Sequence, residues 1–131
     1  CGEILYQKEL VRNRNVCSKC DHHFRITSND YLDLLTDEGS FTEFNQNLKS
    51  VDPLKFRDSK KYSDRIKEAM AKTGMSEAIR TGEATIEKIA VIIGVMDFRF
   101  IGGSMGSVVG EKIARAADMA RETRKPHISV S

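Results

Sequence analysis

Cysteine is scarce in this chain and odd in number: three residues among 131, at positions 1, 17 and 20. An odd count argues against a closed disulfide framework and fits a reducing compartment or a metal better. Long hydrophobic runs are missing, and none approaches the roughly 18 residues that suggest a membrane span. Charge of one sign is nearly balanced by the other. The formal excess of +2 is too small to argue for nucleic acid or an anionic membrane as partner. The first residues do not read as a secretory signal, since Cys1–Gly2–Glu3 has no basic lead and no apolar stretch behind it. Methionine is not the first residue, which points to a trimmed or processed chain. Internal repeats and low-complexity tracts are also missing. What is present, 40% hydrophobic and 31% charged residues, suits one domain with a core, or a small module plus part of one.

Cys17–Ser18–Lys19–Cys20 is a knuckle in which two thiolates can grip one metal ion. Fifteen residues separate Cys17 from Cys1, a spacing like that between the two cysteine pairs of a zinc ribbon. Short β-like runs, Ile4–Leu5–Tyr6 and Asn15–Val16, lie between them. Cys1, Cys17 and Cys20 are therefore candidate metal ligands, and a further cysteine upstream would complete a tetrahedral four-sulfur site. Such a site is structural, because four thiolates leave no open position for catalysis. His22 and His23 are alternative ligands, but they sit so close to Cys20 that they read better as surface or strand residues. Three free cysteines, or a redox pair at Cys17 and Cys20, are the competing readings; no thioredoxin-like βαβ pattern supports the latter.

Thr27–Ser28–Asn29–Asp30 is dense in helix N-caps, and a short helix carrying Tyr31, Leu32, Leu34 and Leu35 should follow until Gly39 stops it. Ser40–Phe44 reads as extended, anchored by Phe41 and Phe44. Asp52–Pro53 marks a loop. A helix from about 59 to 72 should bury Tyr62, Ile66, Ala69 and Met70, with Gly74 closing it. Lys55, Arg57, Lys60, Lys61 and Arg65 form a basic cluster, read as a solvated helix face or a phosphate contact. Residues 78–86 alternate like a half-exposed strand. Glu87–Lys88 can turn the chain, and 89–96 is a more continuously apolar, more buried strand.

The stretch Phe100–Ile101–Gly102–Gly103–Ser104–Met105–Gly106–Ser107–Val108–Val109–Gly110 then forms a glycine-rich corner. Glycine permits positive φ and lets another molecule approach the main chain. The helix that follows, from about 107 to 123, offers unpaired N–H groups and a partial positive charge at its first turn. The corner is either a cradle for an anion, or for an oxygen that becomes anionic during a reaction, or a plain tight turn. Ser104 and Ser107 read as N-caps rather than nucleophiles. Val109, Ile113, Ala116, Ala117 and Ala120 make one helical stripe, with Glu111, Lys112, Arg115, Asp118 and Glu122 elsewhere. Pro126 breaks the helix, and 127–131 begins another strand.

Taken together, the half ribbon with Asp21–His22–His23, the run Asp37–Glu38–Gly39–Ser40–Phe41 and the Gly-Gly-Ser-Met-Gly-Ser corner resemble one family. It is that of the β subunits of bacterial and plastid acetyl-CoA carboxylase carboxyltransferase. The resemblance runs over essentially the whole chain and covers the N-terminal half of such a subunit. It implies an α/β fold: a zinc ribbon over 1–26, a helical connector over 27–75, and over 76–131 the first part of a crotonase-like domain of ββα units.

The implied reaction moves carboxylate from carboxybiotin to acetyl-CoA, giving malonyl-CoA for fatty acid synthesis. The implied cofactors are Zn(2+) and biotin on a carrier protein. The implied partners are a carboxyltransferase alpha subunit in an α2β2 heterotetramer, the biotin carboxyl carrier protein and biotin carboxylase, in cytoplasm or plastid stroma. By analogy with crotonase folds, main-chain N–H groups at Gly103 and Ser104 would hold the thioester oxygen. Gly102 and Gly106 would permit close approach, Met105 would line the site, and Arg99 would meet a CoA phosphate or form a structural ion pair. The family's second glycine turn does not occur in these residues, so this portion alone is expected to be inactive. Two other readings remain: a nucleic-acid-binding ribbon using Lys8, Arg12, Arg14, Lys19 and Arg25, or a non-catalytic assembly element.

Overall fold

The computed structural model describes residues 1–131. Its centre is a four-stranded sheet in the order β1 (Thr42–Phe44), β2 (Ile79–Ile86), β3 (Ile89–Met96), β4 (His127–Val130). β1–β2 and β2–β3 are antiparallel; β3–β4 is parallel, reached through a helical crossover. Four helices, α1 (Gln7–Arg12), α2 (Ser28–Leu35), α3 (Tyr62–Thr73) and α4 (Ser107–Thr123), complete the chain. None is long and apolar enough to cross a membrane.

The apolar run of β3 is explained by layers on both sides. Val91, Ile93 and Val95 pack with Leu32 of α2 and Ala84 of β2. Ile92 faces the other way, against Ala116 and Ala120 of α4. A third cluster joins Ile66 and Ala69 of α3 to Ile79, Met96, Phe100 and Val109. Each fully buried side chain of this size contributes roughly 1.5–3 kcal/mol, so a strand sandwiched this way anchors the fold. β2, expected to be half exposed, also has several buried positions, because it too is an interior strand covered on both faces.

Residues 27–75 are more than a helical connector. They supply β1 to the sheet edge and α2 to one of its faces. α2 starts where its capping sequence predicts: Thr27 and Asp30 form a reciprocal capping box. It ends at Leu35, so Gly39, at φ +69°, shapes the turn beyond rather than stopping the helix. α3 ends at Gly74 in the left-handed conformation, as expected.

The β2–β3 turn uses Glu87 and Lys88, both at positive φ (48° and 66°), the geometry of a two-residue hairpin that usually takes Asn or Gly. Asp37 compensates: its carboxylate accepts from the Thr85 hydroxyl (2.5 Å) and from the Lys88 and Glu87 amides (2.8 and 3.1 Å). Those bonds, the Thr85 one foremost, hold its carboxyl below the usual carboxylate range.

The helical stripe on α4 needs one correction. Val109, Ala116 and Ala120 are buried as expected, but Ala117 is exposed and Lys112 is buried. Lys112 extends under β2, and its Nζ donates to the Ile79 carbonyl at 3.2 Å. Burial pushes its pKa down, with Glu43 and Glu77 opposing the shift.

Where β3 ends, Asp97 is 1% exposed. Its Oδ2 accepts from the amide and hydroxyl of Ser28, both at 2.9 Å. Oδ1 accepts from the Arg99 amide (3.0 Å) and Nε (2.9 Å), and Arg99 Nη2 reaches Oδ2 at 2.6 Å. Burial works against the ionised form, but these bonds, the Arg99 side chain first among them, outweigh it and hold the carboxyl well below its ordinary range.

Two outcomes follow from this packing. A Cβ on Gly82 would lie 2.5 Å from the Thr42 carbonyl oxygen and against the Phe41 ring, so Gly82→Ala should cost about 2–3 kcal/mol in urea unfolding; an unchanged midpoint would refute the close β1–β2 approach. Asp97→Asn keeps an acceptor for Ser28 but loses the charged fork to Arg99, and should cost about 2 kcal/mol at pH 7. Because the folded pKa lies below the unfolded value of about 3.9, Asp97 stabilises the fold above that value and loses this effect as pH falls toward the folded pKa. The gap between wild type and variant should therefore narrow between about pH 5 and pH 2; a constant gap would exclude the mechanism.

Candidate functional site

Two regions carry chemistry. The first is the cysteine group. Cys17 sits at the base of a tight loop: its amide donates to the His22 carbonyl (2.8 Å), Asp21 N–H returns to the Cys17 carbonyl (2.9 Å), and Phe24 N–H meets the Asn15 carbonyl (2.8 Å). Val16 and His23 form a single antiparallel bridge there. The expected β-like run at Ile4–Tyr6 does not form. The segment between the cysteines holds α1 instead, whose polar Gln7–Arg12 sequence carries a helix-favouring Glu, Lys, Gln and Leu.

The fold nevertheless brings Cys1, Cys17 and Cys20 together, with all Sγ atoms within 4.8 Å of one another and Cys1–Cys17 at 3.9 Å. Zn–S bonds of about 2.3 Å in a tetrahedron imply S···S separations of about 3.8 Å, so the group fits zinc. The Lys19 amide points at Cys17 Sγ from 3.4 Å; this donor and the Cys20 amide draw the Cys17 thiol pKa down, which favours the ligating thiolate. His22 and His23 are exposed and outside the group, as read from the sequence. His22 stacks edge-on with Phe24 at 4.9 Å. Lys8, Arg12, Arg14 and Lys19 lie exposed around this module, whereas the Arg25 guanidinium lies over the Phe98 ring.

The second region is the glycine corner. Ile101, Gly102 and Gly103 all take positive φ (45°, 64° and 74°), forming a 3₁₀ turn. For a β-branched residue such as Ile101 this is a strained conformation, and its side chain is held against the α3 cluster. The turn consumes the two donors expected to be free: Gly103 N–H bonds the Phe100 carbonyl at 2.9 Å and Ser104 N–H the Ile101 carbonyl at 3.2 Å. The amides without a partner in the chain are the next five, Met105 to Val109. They are left over because α4 begins with Gly106 as N-cap and makes no side-chain cap bond. Neither Ser104 nor Ser107 caps it.

In front of Ser104, Gly106 and Ser107 lies a cleft of about 440 Å³. Its opposite wall mixes apolar and charged side chains: Val51, Leu54 and Phe56 from the loop before α3 and Tyr62 at its start, interspersed with Asp52, Asp58 and Arg65. A Cβ on Gly106 would come within 3.1 Å of the Tyr62 hydroxyl, so glycine there sets how closely the walls approach. The sequence reading marked this loop only by Asp52–Pro53. The signal available was its three apolar residues, 53–85% exposed.

Met105, Gly102 and Arg99 do not line this cleft. Met105 is 71% exposed and packs into nothing. Gly102 has open space where a side chain would be. Arg99 forms the ion pair with Asp97 and faces a separate polar cavity between α2 and β2.

Comparison with known proteins matches this geometry to a family. Residues 1–20 match the Acetyl-CoA carboxylase zinc finger domain, and residues 25–131 the Carboxyl transferase domain. The chain is 55% identical over 131 residues to the acetyl-coenzyme A carboxylase carboxyl transferase subunit beta of Citrifermentans bemidjiense, covering all of this chain and 46% of that one. It is 47% identical over 128 residues to the chloroplastic subunit of Pyropia yezoensis, covering 98% of this chain and 44% of that one. It therefore spans somewhat less than half the length of these relatives. Among solved structures, transcarboxylase 12S with methylmalonyl-coenzyme A and methylmalonic acid bound superposes with a TM-score of 0.63 at 24% identity, over 80% of this chain and 18% of that one. That likeness speaks for the fold, and it agrees with the β2–β3–α4 order, one ββα unit. The chain belongs to the carboxyl transferase domain family, among the acetyl-CoA carboxylase beta subunits that carry an N-terminal zinc finger.

Proposed function

We propose that this chain is the N-terminal part of the subunit that receives carboxylate from carboxybiotin onto acetyl-CoA, giving malonyl-CoA, and that its glycine corner forms one wall of the acyl-CoA site. The observation that carries the reading is the set of unpartnered amides from Met105 to Val109, two of which, at Gly106 and Ser107, belong to residues lining a cleft that faces Val51, Leu54 and Phe56. Carboxyl transfer requires negative charge to develop on the thioester oxygen as the acetyl group becomes an enolate, and on the biotin ureido group as it leaves. Fixed N–H dipoles in a cleft shielded from water stabilise such charge; removing one donor of this kind typically costs about 10²–10³ in kcat. Gly103 and Ser104 shape the turn that aims these amides rather than donating themselves. The partners in this reading are a carboxyltransferase alpha subunit and a biotin carboxyl carrier protein charged by biotin carboxylase, in a bacterial cytoplasm or a plastid.

The metal module has a structural role in the same proposal. Zinc would be held by Cys1, Cys17 and Cys20 with a fourth ligand from outside this set, and would supply folding energy rather than an open coordination position.

Valine at position 103 would meet the Phe98 ring about 3.1 Å from its Cβ and resist φ of +74°. In the complete beta subunit joined to its alpha partner, Gly103→Val should lower malonyl-CoA formation by about 100-fold or more without altering metal content. Wild-type turnover would remove the corner from the mechanism. Separately, Cys17→Ala should release zinc from the purified protein, read by elemental analysis; a metal content that does not change would eliminate the cysteine site.

A further inference from the structure

Phe98 is 46% exposed, and burial alone does not account for an aromatic ring at this point. One contact of the ring is the Arg25 guanidinium, 5.2 Å from the ring centroid. Another is the Gly103 peptide: a Cβ at Gly103 would lie 3.1 Å from Phe98 Cδ1 and 3.2 Å from Cε1. The ring is therefore wedged between a residue that follows the cysteine knuckle and the left-handed turn. The neighbouring residue is fastened by the same segment, because Asp97 accepts from the Ser28 amide and hydroxyl at 2.9 Å. Arg25 and Ser28 thus grip consecutive residues of the strand exit. By contrast, nothing lies within 4 Å of a Cβ built at Gly102.

From this juxtaposition we infer that Phe98, clamped by Arg25, is a positioning residue: its ring sets the Gly103 peptide and so the direction of the unpartnered amides that follow. The inference rests on the proposed role of the corner. It also gives the cysteine module a mechanical link to the acyl-CoA wall through Arg25 and Phe98.

The test uses the complete beta subunit in complex with its alpha partner. Phe98→Ala should lower kcat for malonyl-CoA formation at least tenfold with KM for acetyl-CoA little changed, as expected when an interaction made in the transition state is lost. Phe98→Tyr, which keeps the ring, should restore kcat to within about twofold of wild type. Arg25→Ala should lower kcat by about two- to fivefold, the range of an exposed cation–π contact, and should add nothing on the Phe98→Ala background.

Wild-type kcat in Phe98→Ala, with Gly103→Val inactive, overturns the clamp while leaving the corner reading intact. Wild-type kcat in both variants overturns the corner reading itself. A loss in Phe98→Ala that Phe98→Tyr does not restore, or that follows a matching loss of folded protein in urea, also overturns the clamp.

Discussion

The structure depends on a buried carboxylate at the point where β3 leaves the sheet. A lone charge in that position would be expensive. Asp97 is tolerated because the amide and hydroxyl of Ser28 on one side, and the amide and guanidinium of Arg99 on the other, satisfy it. This one group fixes three things together: the start of α2, the end of β3 and the direction in which the chain enters the glycine corner. The corner thus departs from a rigid point and needs only three left-handed residues to reach α4.

Around that point, the two-sided burial of β3 decides where function can lie. With α2 on one face and α3 and α4 on the other, the sheet has no room for a ligand against β3. The exposed backbone donors are pushed to the rim, where the strand-to-helix turn meets the loop before α3. There the apolar residues Val51, Leu54 and Phe56 face the first turn of α4. Unpartnered amides at this rim supply fixed dipoles, which is what charge development on a carbonyl oxygen requires.

Much of this was legible from residue order. The β2–β3 hairpin, α3 with Gly74 at its end, the N-cap cluster at Thr27–Asp30 and the α4–β4 break at Pro126 all follow from local periodicity and termination chemistry. The places where reading failed share a cause. α1 was missed because its six residues, only Leu10 and Val11 of them apolar, bury nothing and leave no periodic signal. Lys112 was left off the apolar stripe because its aliphatic stem does not register as apolar, yet it crosses beneath β2 to the Ile79 carbonyl. Gly103 and Ser104 were expected to offer free amides, but a 3₁₀ turn closes on itself by bonds to i−3 carbonyls and leaves the next five instead.

The sequence by itself determined the order of the elements from α2 onward, the β3 core, the candidate cysteine ligands and the glycine-rich corner, because spacing and residue chemistry act over a few neighbours. Only the tertiary structure decided which amides stay unpaired, that Arg99 is committed to Asp97, that Phe98 lies between Arg25 and Gly103, and that the loop at 51–56 faces α4. Each of these depends on contacts between residues far apart in the chain, whose geometry is set by packing and hydrogen-bond satisfaction rather than by local preference.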